Sequence, residues 1–268
     1  MRSFAAKAHR SNAKLLVFPE CTVQGYPLGE EIFPLDEHER LLLEAETVPG
    51  PTTRMLQKLA KEYALEIVAG LTEMPTEREN AGRLYNSVVH ITSRGIRGHY
   101  RKVHLGGIER CLWSPGHEWV VSDSALGRLG FLICYDVVFP EAARCLALNG
   151  ALALIHCTAS PLDVTTEGTR RQAHDLITRT RALENQVFLV SANLVGGSDP
   201  PFSGHSRIVN PRGEVLAETE GVGLAIAEVE LADDVREARA RSWFGQVFLN
   251  DRQPATYASL SRMPAIGS

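Results

Sequence analysis

The sequence predicts a layered α/β fold with mixed sheets. Short apolar runs bounded by Gly, Pro or Asn recur along the 268 residues, and strands that are apolar on both faces are typical of a sheet covered on both sides. Amphipathic helical patterns lie between these runs. Two further segments indicate hairpins with Gly-containing turns, and a hairpin requires antiparallel pairing. Both parallel and antiparallel strands are therefore expected.

The elements can be placed in chain order. Residues 1–14 indicate part of a helix that precedes the first strand. Buried strands are expected over five apolar runs: 15–18, 67–71, 131–133, 152–157 and 187–193. Helices are expected over 52–64, 141–148 and 169–185, and hairpins over 87–101 and 208–216. Helix 52–64 and helix 141–148 each follow a proline, which suits a first helical turn because its missing N–H costs little there. No repeat or linker interrupts the pattern, so a single domain over 1–268 is the simplest organisation.

Composition limits the class of protein. A net charge of −4 gives no electrostatic reason to expect nucleic acid or an anionic membrane as partner. No apolar stretch is long enough to span a bilayer, and the start lacks the apolar core of a signal peptide. The five cysteines are an odd number without a Cys-x-x-Cys pair, which argues against a disulfide scaffold or a thiolate zinc site. We therefore expect a cytoplasmic protein with no metal and no cofactor.

Three apolar segments end in a residue that is able to carry catalysis. Glu20 follows the run 15–18, Lys102 follows the first hairpin, and Cys134 follows the run 131–133. Folds of the α/β class place their sites at strand ends. A carboxylate can take a thiol proton, a thiolate can attack a carbonyl-like carbon, and an ammonium can stabilise the resulting oxyanion. Backbone N–H groups at the corner after Cys134 are expected to favour a thiolate.

Each residue also has a purely structural interpretation. Cys134 could be a buried cysteine that ends a core strand, since free cysteines are commonly buried. Glu20 could cap a helix or sit in an ion pair, and Lys102 could be a solvated strand-end charge. A protease-like Cys-His dyad is a further alternative, which requires spatial proximity to one of three histidines: His104, His156 or His205.

The separated motifs resemble those of the nitrilase superfamily, the carbon–nitrogen hydrolases. Three motifs occur in the family's order: Phe18-Pro19-Glu20, Tyr100-Arg101-Lys102 and Ile133-Cys134-Tyr135-Asp136. The resemblance continues through Leu84-Tyr85-Asn86-Ser87, Gly204-His205-Ser206 and Asp251-Arg252-Gln253-Pro254, and so covers essentially the whole chain.

This resemblance implies an αββα sandwich with a Cys-Glu-Lys triad. Cys134 would be the nucleophile, Glu20 the general base and Lys102 the cation that stabilises the oxyanion, together with the backbone N–H of Tyr135. Glu109, ahead of a Trp-Ser-Pro-Gly turn, would be the family's further glutamate, which positions substrate and keeps Lys102 charged. The resemblance also implies a homodimer or higher homo-oligomer in which helices of two sandwiches pack together.

The residues after Cys134 bear on the substrate. True nitrilases commonly follow the cysteine with Trp-Glu, whereas Tyr135-Asp136 stands here. That difference favours a small-molecule amide or N-carbamoyl compound hydrolysed by water, with a nitrile as the alternative. The four residues expected to bind substrate are Tyr26, Tyr135, Phe139 and Thr158. Loops around Tyr26, Phe139, Thr158 and Phe202 are expected to set the size, charge and chirality of the substrate.

The chain departs from the family pattern in two places. Only 14 residues precede the run 15–18, so the family's first strand and the start of its first helix are not found. We expect an unpaired sheet edge beside the strand that leads to Glu20, and a truncated, non-catalytic member of the fold is the second function hypothesis. Val138 stands where many relatives carry an arginine that organises the pocket, and valine supplies no charge or donors.

Overall fold

Two β-sheets lie face to face, and each carries helices on its outer side. The computed structural model describes residues 1–27, 34–76, 82–160, 167–197, 201–242 and 245–262. The interior between the sheets is apolar: Val68 and Val88 of one sheet pack against Phe131, Ile155 and Phe188 of the other. The structure is thus the four-layer αββα arrangement that the resemblance implied.

The first sheet is four-stranded, in the order β1-β2-β3-β4. Its strands are β1 (Leu15–Val17), β2 (Glu66–Glu73), β3 (Tyr85–Thr92) and β4 (Gly95–Arg101). The helices in this part of the chain are α1 (Arg2–Arg10), α2 (Pro34–Glu44) and α3 (Pro51–Tyr63). Strand β1 runs parallel to β2, and the other neighbours are antiparallel. In the described part of the chain β1 pairs with β2 only, so it forms one edge of this sheet.

Helices α1 and α3 cover the outer face of the first sheet. Leu56 and Leu59 of α3 pack against Ile67 and Ile91 of the sheet, and all four are fully or almost fully buried. Helix α3 begins as predicted: Pro51 is its first residue, and the Thr53 side chain accepts a hydrogen bond from the Gly50 N–H at 2.8 Å. Burial of this apolar stripe fixes the first sheet against its helices.

The second sheet is six-stranded, in the order β12-β11-β8-β7-β6-β5. Its strands are β5 (Val121–Ser124), β6 (Gly127–Ile133), β7 (Ala153–Thr158), β8 (Phe188–Asn193), β11 (Ser206–Val209) and β12 (Val215–Thr219). Two further short strands, β9 (Val195–Gly196) and β10 (Phe202–Ser203), form a separate two-stranded ribbon. The remaining helices are α4 (Glu109–Leu112), α5 (Pro140–Leu148), α6 (Glu167–Asn185) and α7 (Leu231–Ala240). Strands β6, β7 and β8 run parallel at the centre, and the flanking pairs are antiparallel.

The apolar outer face of the second sheet packs against α5 and α6. Leu132, Leu154 and Leu189 of the central strands meet Ala143 and Ala182 of these helices. The predicted buried strands, helices and hairpins are all present, with ends that differ by a few residues. The elements α2, α4, α7 and β5 were not predicted from the sequence. The nucleophile segment also differs: a five-residue 3₁₀ segment (Cys134–Val138) separates β6 from α5, so Cys134 opens this segment and not the α-helix itself. Within the described residues, none of the helices combines the length and apolarity needed to cross a bilayer.

Candidate active site

Strand ends from both sheets bring the three sequence-predicted residues to one end of the sandwich. Lys102 directly follows β4, Cys134 directly follows β6, and Glu20 lies just beyond β1. Close packing of Glu20 depends on Gly70 of β2, where a Cβ would lie 2.9 Å from the Glu20 Cα and 2.5 Å from the Cys21 nitrogen. Any side chain there would displace the segment that carries the carboxylate.

Lys102 lies between two buried carboxylates. Its Nζ donates to Glu20 Oε1 at 2.9 Å and to Glu109 Oε1 at 2.5 Å, and all three side chains are at most 3% exposed. Burial raises the pKa of Glu20 to about 7, although the Lys102 ammonium opposes the rise. Burial alone would lower the pKa of Lys102. The charge of Glu20, together with the other acidic groups around Lys102, reverses this effect and holds the pKa of Lys102 well above its usual value. The cluster therefore holds a charged lysine beside a carboxyl that titrates near neutrality.

The two oxygens of Glu20 have different environments. Oε1 accepts hydrogen bonds from Lys102 and from Asn86 Nδ2, the latter at 2.7 Å. Oε2 is buried and has no hydrogen-bond partner among the described residues. A buried carboxylate oxygen without a donor carries a desolvation cost, and it is free to accept a proton.

Glu109 is fixed by three donors. Its Oε1 accepts from Lys102 and from the Tyr26 hydroxyl at 2.9 Å, and its Oε2 accepts from the Gly106 N–H at 2.8 Å. The Tyr26 ring itself packs against the rings of Trp113 and Phe202, with centroids 6.0 and 6.1 Å away. Tyr26 therefore connects the charged cluster to the aromatic wall beside it.

Cys134 has a left-handed backbone, with φ at +42°. This conformation costs a non-glycine residue roughly 1–3 kcal/mol and is concentrated at functional sites. Burial raises the pKa of the Cys134 thiol to about 12; the Glu20 charge adds to the rise, while Lys102 and a hydrogen bond with the Thr158 side chain oppose it. Desolvation and the nearby carboxylates therefore outweigh Lys102 and Thr158, and the resting group is a thiol, contrary to the expectation that this corner favours a thiolate.

Asp136 links the cysteine segment to the first sheet, a role that the sequence did not reveal. Its buried carboxylate accepts from the Ile133 N–H at 2.9 Å, the Tyr100 hydroxyl at 2.7 Å and the His104 N–H at 2.9 Å. Residues on both sides of the sandwich thus converge on one carboxylate. Tyr135-Asp136 stood out in the sequence only as a motif variant, since no local pattern showed these distant donors.

The three histidines considered for a Cys-His dyad have other partners. His104 Nδ1 lies 3.0 Å from Asp136 Oδ1, and His205 Nδ1 lies 2.7 Å from Glu218 Oε1. His156 Nε2 faces the backbone carbonyl of Cys134 at 3.1 Å and not its sulfur. The geometry therefore does not support a dyad. No group of three or more His, Cys, Asp or Glu side chains within the described ranges is arranged to hold a metal ion.

The four residues expected to bind substrate fall into two groups. Tyr26 and Thr158 contact Glu109 and Cys134, as described above. Tyr135 is exposed, and its ring meets that of Phe139 edge-on at 5.1 Å, while Phe139 stacks on His104 at 3.7 Å. These two rings form an aromatic rim next to the cysteine.

At Val138, where the resemblance led us to expect an arginine, the backbone is held by an arginine from another part of the chain. Arg181 of α6 donates from Nε to the Val137 carbonyl at 2.9 Å and from Nη2 to the Val138 carbonyl at 2.8 Å. A guanidinium thus fixes the end of the cysteine segment, although it comes from a helix more than forty residues away along the chain.

The αββα sandwich and this cluster together define the class of carbon–nitrogen hydrolases. A sequence model of the carbon-nitrogen hydrolase family matches residues 1–240, and the chain belongs to this family. The sequence is 34% identical over 266 residues to a probable nitrilase of Schizosaccharomyces pombe, which covers 97% of this chain and 90% of that protein. It is also 34% identical over 229 residues to the omega-amidase NIT2 of Homo sapiens, covering 81% of this chain and 76% of that protein.

A solved structure gives the same result for the fold. The carbon-nitrogen hydrolase of Helicobacter pylori superposes with a TM-score of 0.82 at 26% identity, covering 97% of this chain and 91% of that one. The resemblance to the nitrilase superfamily is therefore confirmed, and the protein is a carbon–nitrogen hydrolase.

Proposed function

We propose that the protein hydrolyses small amides or N-carbamoyl compounds through a thioester on Cys134, with Glu20 as general base and Lys102 as oxyanion-stabilising cation. One observation carries the proposal. Glu20 Oε2 is buried without a partner among the described residues, while Glu20 Oε1 is bonded to Lys102. A proton acceptor and a fixed cation therefore lie beside a thiol whose pKa both of them influence.

Acylation begins with the neutral thiol. Glu20 Oε2 takes the Cys134 proton as the sulfur forms a bond to the amide carbon, and the carbonyl π electrons move to its oxygen. Because the thiol pKa is about 12 and the Glu20 pKa about 7, the free thiolate is scarce. Proton transfer and attack are therefore expected to be coupled, and the amide must be bound before the thiol loses its proton.

Lys102 and the Tyr135 N–H are the proposed donors to the oxyanion. An ammonium has three N–H donors, and Lys102 uses two of them on Glu20 and Glu109. The third is available for a developing oxyanion, which a desolvated cation stabilises strongly. Glu109, held by Tyr26 and Gly106, fixes the Nζ position so that little reorganisation is needed.

Collapse of the tetrahedral intermediate completes the first half-reaction. The C–N bond breaks, and protonated Glu20 returns its proton to the leaving nitrogen, which departs as ammonia or an amine. Water then attacks the thioester and gives its proton to Glu20, and collapse releases the acid and regenerates the Cys134 thiol. A single carboxyl thus serves as base and acid in turn, which suits a pKa near neutrality.

Amide-type substrates are preferred over nitriles. The segment after the nucleophile is Tyr135-Asp136, not the Trp-Glu of true nitrilases. The relatives include both an omega-amidase and a probable nitrilase, so the motif after the nucleophile carries this preference. The rim of Tyr135 and Phe139, with Tyr26 and Thr158 beside the reacting groups, is the proposed substrate-binding wall. An aromatic rim suits a small substrate with an apolar part next to its amide.

A substrate panel tests this proposal. Purified protein is assayed for ammonia release from ω-amides, N-carbamoyl amino acids and aliphatic nitriles, with C134A in parallel. We expect turnover of at least one amide or carbamoyl compound, lost in C134A. Turnover restricted to nitriles would reassign the substrate class, and turnover that C134A retains would refute the mechanism. A folded protein without turnover of any compound in the panel, and with a Cys134 inert to alkylation, would favour the non-catalytic alternative.

A homodimer is the proposed assembly. Exposed leucines lie on α5 and α6, the outer helices of the second sheet: Leu148, Leu176 and Leu183 are 46%, 63% and 48% exposed. Apolar side chains on adjacent outer helices suit packing against a second copy. Light scattering of the wild type and of L176E provides the check, and an unchanged mass would show that this face is not the interface.

The five free cysteines suit a reducing compartment, so we propose a cytoplasmic location.

A further inference from the structure

A chain of three polar side chains lies behind the cysteine. His156 of β7 contacts the Cys134 carbonyl oxygen through Nε2 at 3.1 Å, and its Nδ1 lies 3.0 Å from Ser191 Oγ of β8. The same Ser191 Oγ lies 3.3 Å from His174 Nε2 of α6. His156 and Ser191 are at most 2% exposed. Leu154 and Leu189, two residues earlier on the same strands, lie in the apolar layer under α5 and α6, so polar groups replace apolar ones at the strand ends.

The Cys134 carbonyl fixes the direction of every hydrogen bond in this chain. A carbonyl oxygen only accepts, so His156 Nε2 must carry the hydrogen. Burial lowers the pKa of His156 to about 4, so at neutral pH its Nδ1 bears no hydrogen and accepts from the Ser191 hydroxyl. Burial likewise lowers the pKa of His174 to about 3, and its Nε2–H donates to Ser191 Oγ. The donors therefore run in one direction: from His174 to Ser191, to His156 and to Cys134.

The Cys134 carbonyl shares a peptide unit with the Tyr135 N–H. In a trans peptide these two groups point in opposite directions from one rigid plane. A donor that holds the carbonyl oxygen therefore also sets the direction of the N–H, and it polarises that N–H as a donor. Tyr135 is the second residue of the 3₁₀ segment, and the first N–H groups of a helical segment have no acceptor within it.

We propose that His156 is a positioning residue: by holding the Cys134 carbonyl, and itself held by Ser191 and His174, it aims the Tyr135 N–H at the oxyanion. This inference rests on the proposed amide hydrolysis. His156 touches neither the sulfur nor the proposed reacting groups, and it acts through the Cys134–Tyr135 peptide. Its removal should therefore weaken transition-state stabilisation more than substrate binding or the reactivity of the thiol.

Two substitutions at His156 separate this role from a merely structural one. In H156Q the side-chain amide nitrogen reaches the position of Nε2 and can still donate to the Cys134 carbonyl. In H156N the amide nitrogen takes the position of Nδ1 and falls short of the carbonyl. Both variants keep a buried polar amide, so they serve as matched controls for each other. S191A, a smaller change, removes the hydroxyl that donates to His156 Nδ1.

Four quantities are measured for each variant: kcat and KM for ammonia release from the best amide, the rate of Cys134 alkylation by iodoacetamide, and Tm. Alkylation forms the S–C bond by displacing iodide and passes through no oxyanion. We expect kcat of H156N to fall on the order of 10-fold. This is less than the loss of about 10²- to 10³-fold that follows when a whole oxyanion donor is removed. KM and the alkylation rate should stay within about twofold of wild type. H156Q should recover most of kcat, and S191A should lose about threefold.

The outcomes distinguish this inference from the proposed function. Equal losses of kcat in H156Q and H156N, or full kcat in H156N, would overturn the positioning role. A parallel fall in alkylation would show that the contact positions the thiol and not the oxyanion donor. Wild-type protein with no Cys134-dependent turnover would refute the proposed function, and the inference with it. If H156N and H156Q are both too unstable to assay, the kcat of S191A is the test. An unchanged kcat in folded S191A would overturn the inference.

Discussion

The two sheets hold the candidate site in different ways. The first sheet contributes charge: Glu20 and Lys102, joined by Glu109, form a buried cluster of two carboxylates and one ammonium. The second sheet holds the peptide that follows the nucleophile without charge: His156 donates an uncharged hydrogen bond to the Cys134 carbonyl. Removing one partner from a buried ion pair costs about 3–5 kcal/mol because a charge is left uncompensated. Breaking a neutral buried bond costs about 1–3 kcal/mol.

This difference follows from what each side does in the proposed reaction. Charge is placed where a proton moves and an oxyanion develops, because desolvated charges act strongly there. An uncharged bond holds the Cys134 carbonyl, because a charged donor at that peptide would compete with Lys102 for the oxyanion and for Glu20. The charged Asp136 and Arg181 hold neighbouring peptides of the segment instead. Changes on the charged side should therefore affect kcat, pH dependence and stability together. A change at the uncharged His156 bond should lower kcat with a smaller loss of stability and without a change in pH dependence.

The largest expected effect is the loss of the nucleophile where the two sides meet. C134A should reduce ammonia release to background with Tm close to wild type, since the change removes one sulfur atom from a partly buried position. C111A makes the same change at an exposed cysteine and should keep full activity. A folded C134A with near-normal turnover would contradict the account.

The next effect concerns the cation of the charged side. K102M should lower kcat by on the order of 10²-fold or more, the scale of losing an oxyanion donor. It should also lower the free energy of unfolding by about 3–5 kcal/mol, because Glu20 and Glu109 lose the charge between them. K61M, which removes an exposed lysine of α3, is the control and should change neither quantity. An unchanged kcat with only KM raised would show that Lys102 anchors substrate.

The third effect is a pH dependence that only the charged side should show. Glu20 must be ionised to accept the thiol proton, so kcat/KM should rise with pH, with a midpoint near its pKa of about 7. The hydrogen bond from Asn86 lowers this pKa. N86L removes the donor and should move the midpoint upward by roughly half a unit to one unit. A profile that stays flat from pH 5 to 8 would exclude Glu20 as the base.

The smallest effect lies outside the site and concerns stability. Burial alone would raise the pKa of Glu73, but hydrogen bonds from His99, Arg101 and Ser87 lower it to about 2. Since the pKa is below the unfolded value, the contribution is present above about pH 4.5 and is lost as pH falls toward 2. E73Q should therefore cost about 2–3 kcal/mol at pH 7 and progressively less in acid, as measured by urea unfolding. A cost independent of pH would show that packing, not charge, is responsible.

The sequence predicted the elements that depend on local patterns. The parallel core strands, the helix that starts at Pro51 and the hairpins follow from periodicity and turn residues, and the positions of Glu20, Lys102 and Cys134 follow from strand ends. The four-layer arrangement came from the family resemblance. Sheet-on-sheet packing joins residues such as Val88 and Phe131, which no local pattern connects.

The parts of the site that the sequence missed depend on distant contacts. His156, which the sequence offered only as a candidate for a Cys-His dyad, lies with His174 and Ser191 on three separate elements, and only the fold brings the three together. The same holds for Asp136, whose donors come from both sheets. The protonated resting state of Cys134 was missed because desolvation depends on how completely the site is enclosed, and a motif does not reveal that.

The central claim is that Cys134 carries the acyl group between the two half-reactions. Rapid-quench mass spectrometry with the best amide substrate measures this directly. The account predicts a burst of ammonia stoichiometric with enzyme, together with an adduct of the acyl mass on the peptide that contains Cys134, which hydroxylamine removes as the hydroxamate. If ammonia release is steady and shows no burst, deacylation is faster than acylation, and only a trace of the acyl adduct accumulates. Full turnover of an enzyme whose Cys134 has been blocked beforehand by iodoacetamide would contradict the account outright.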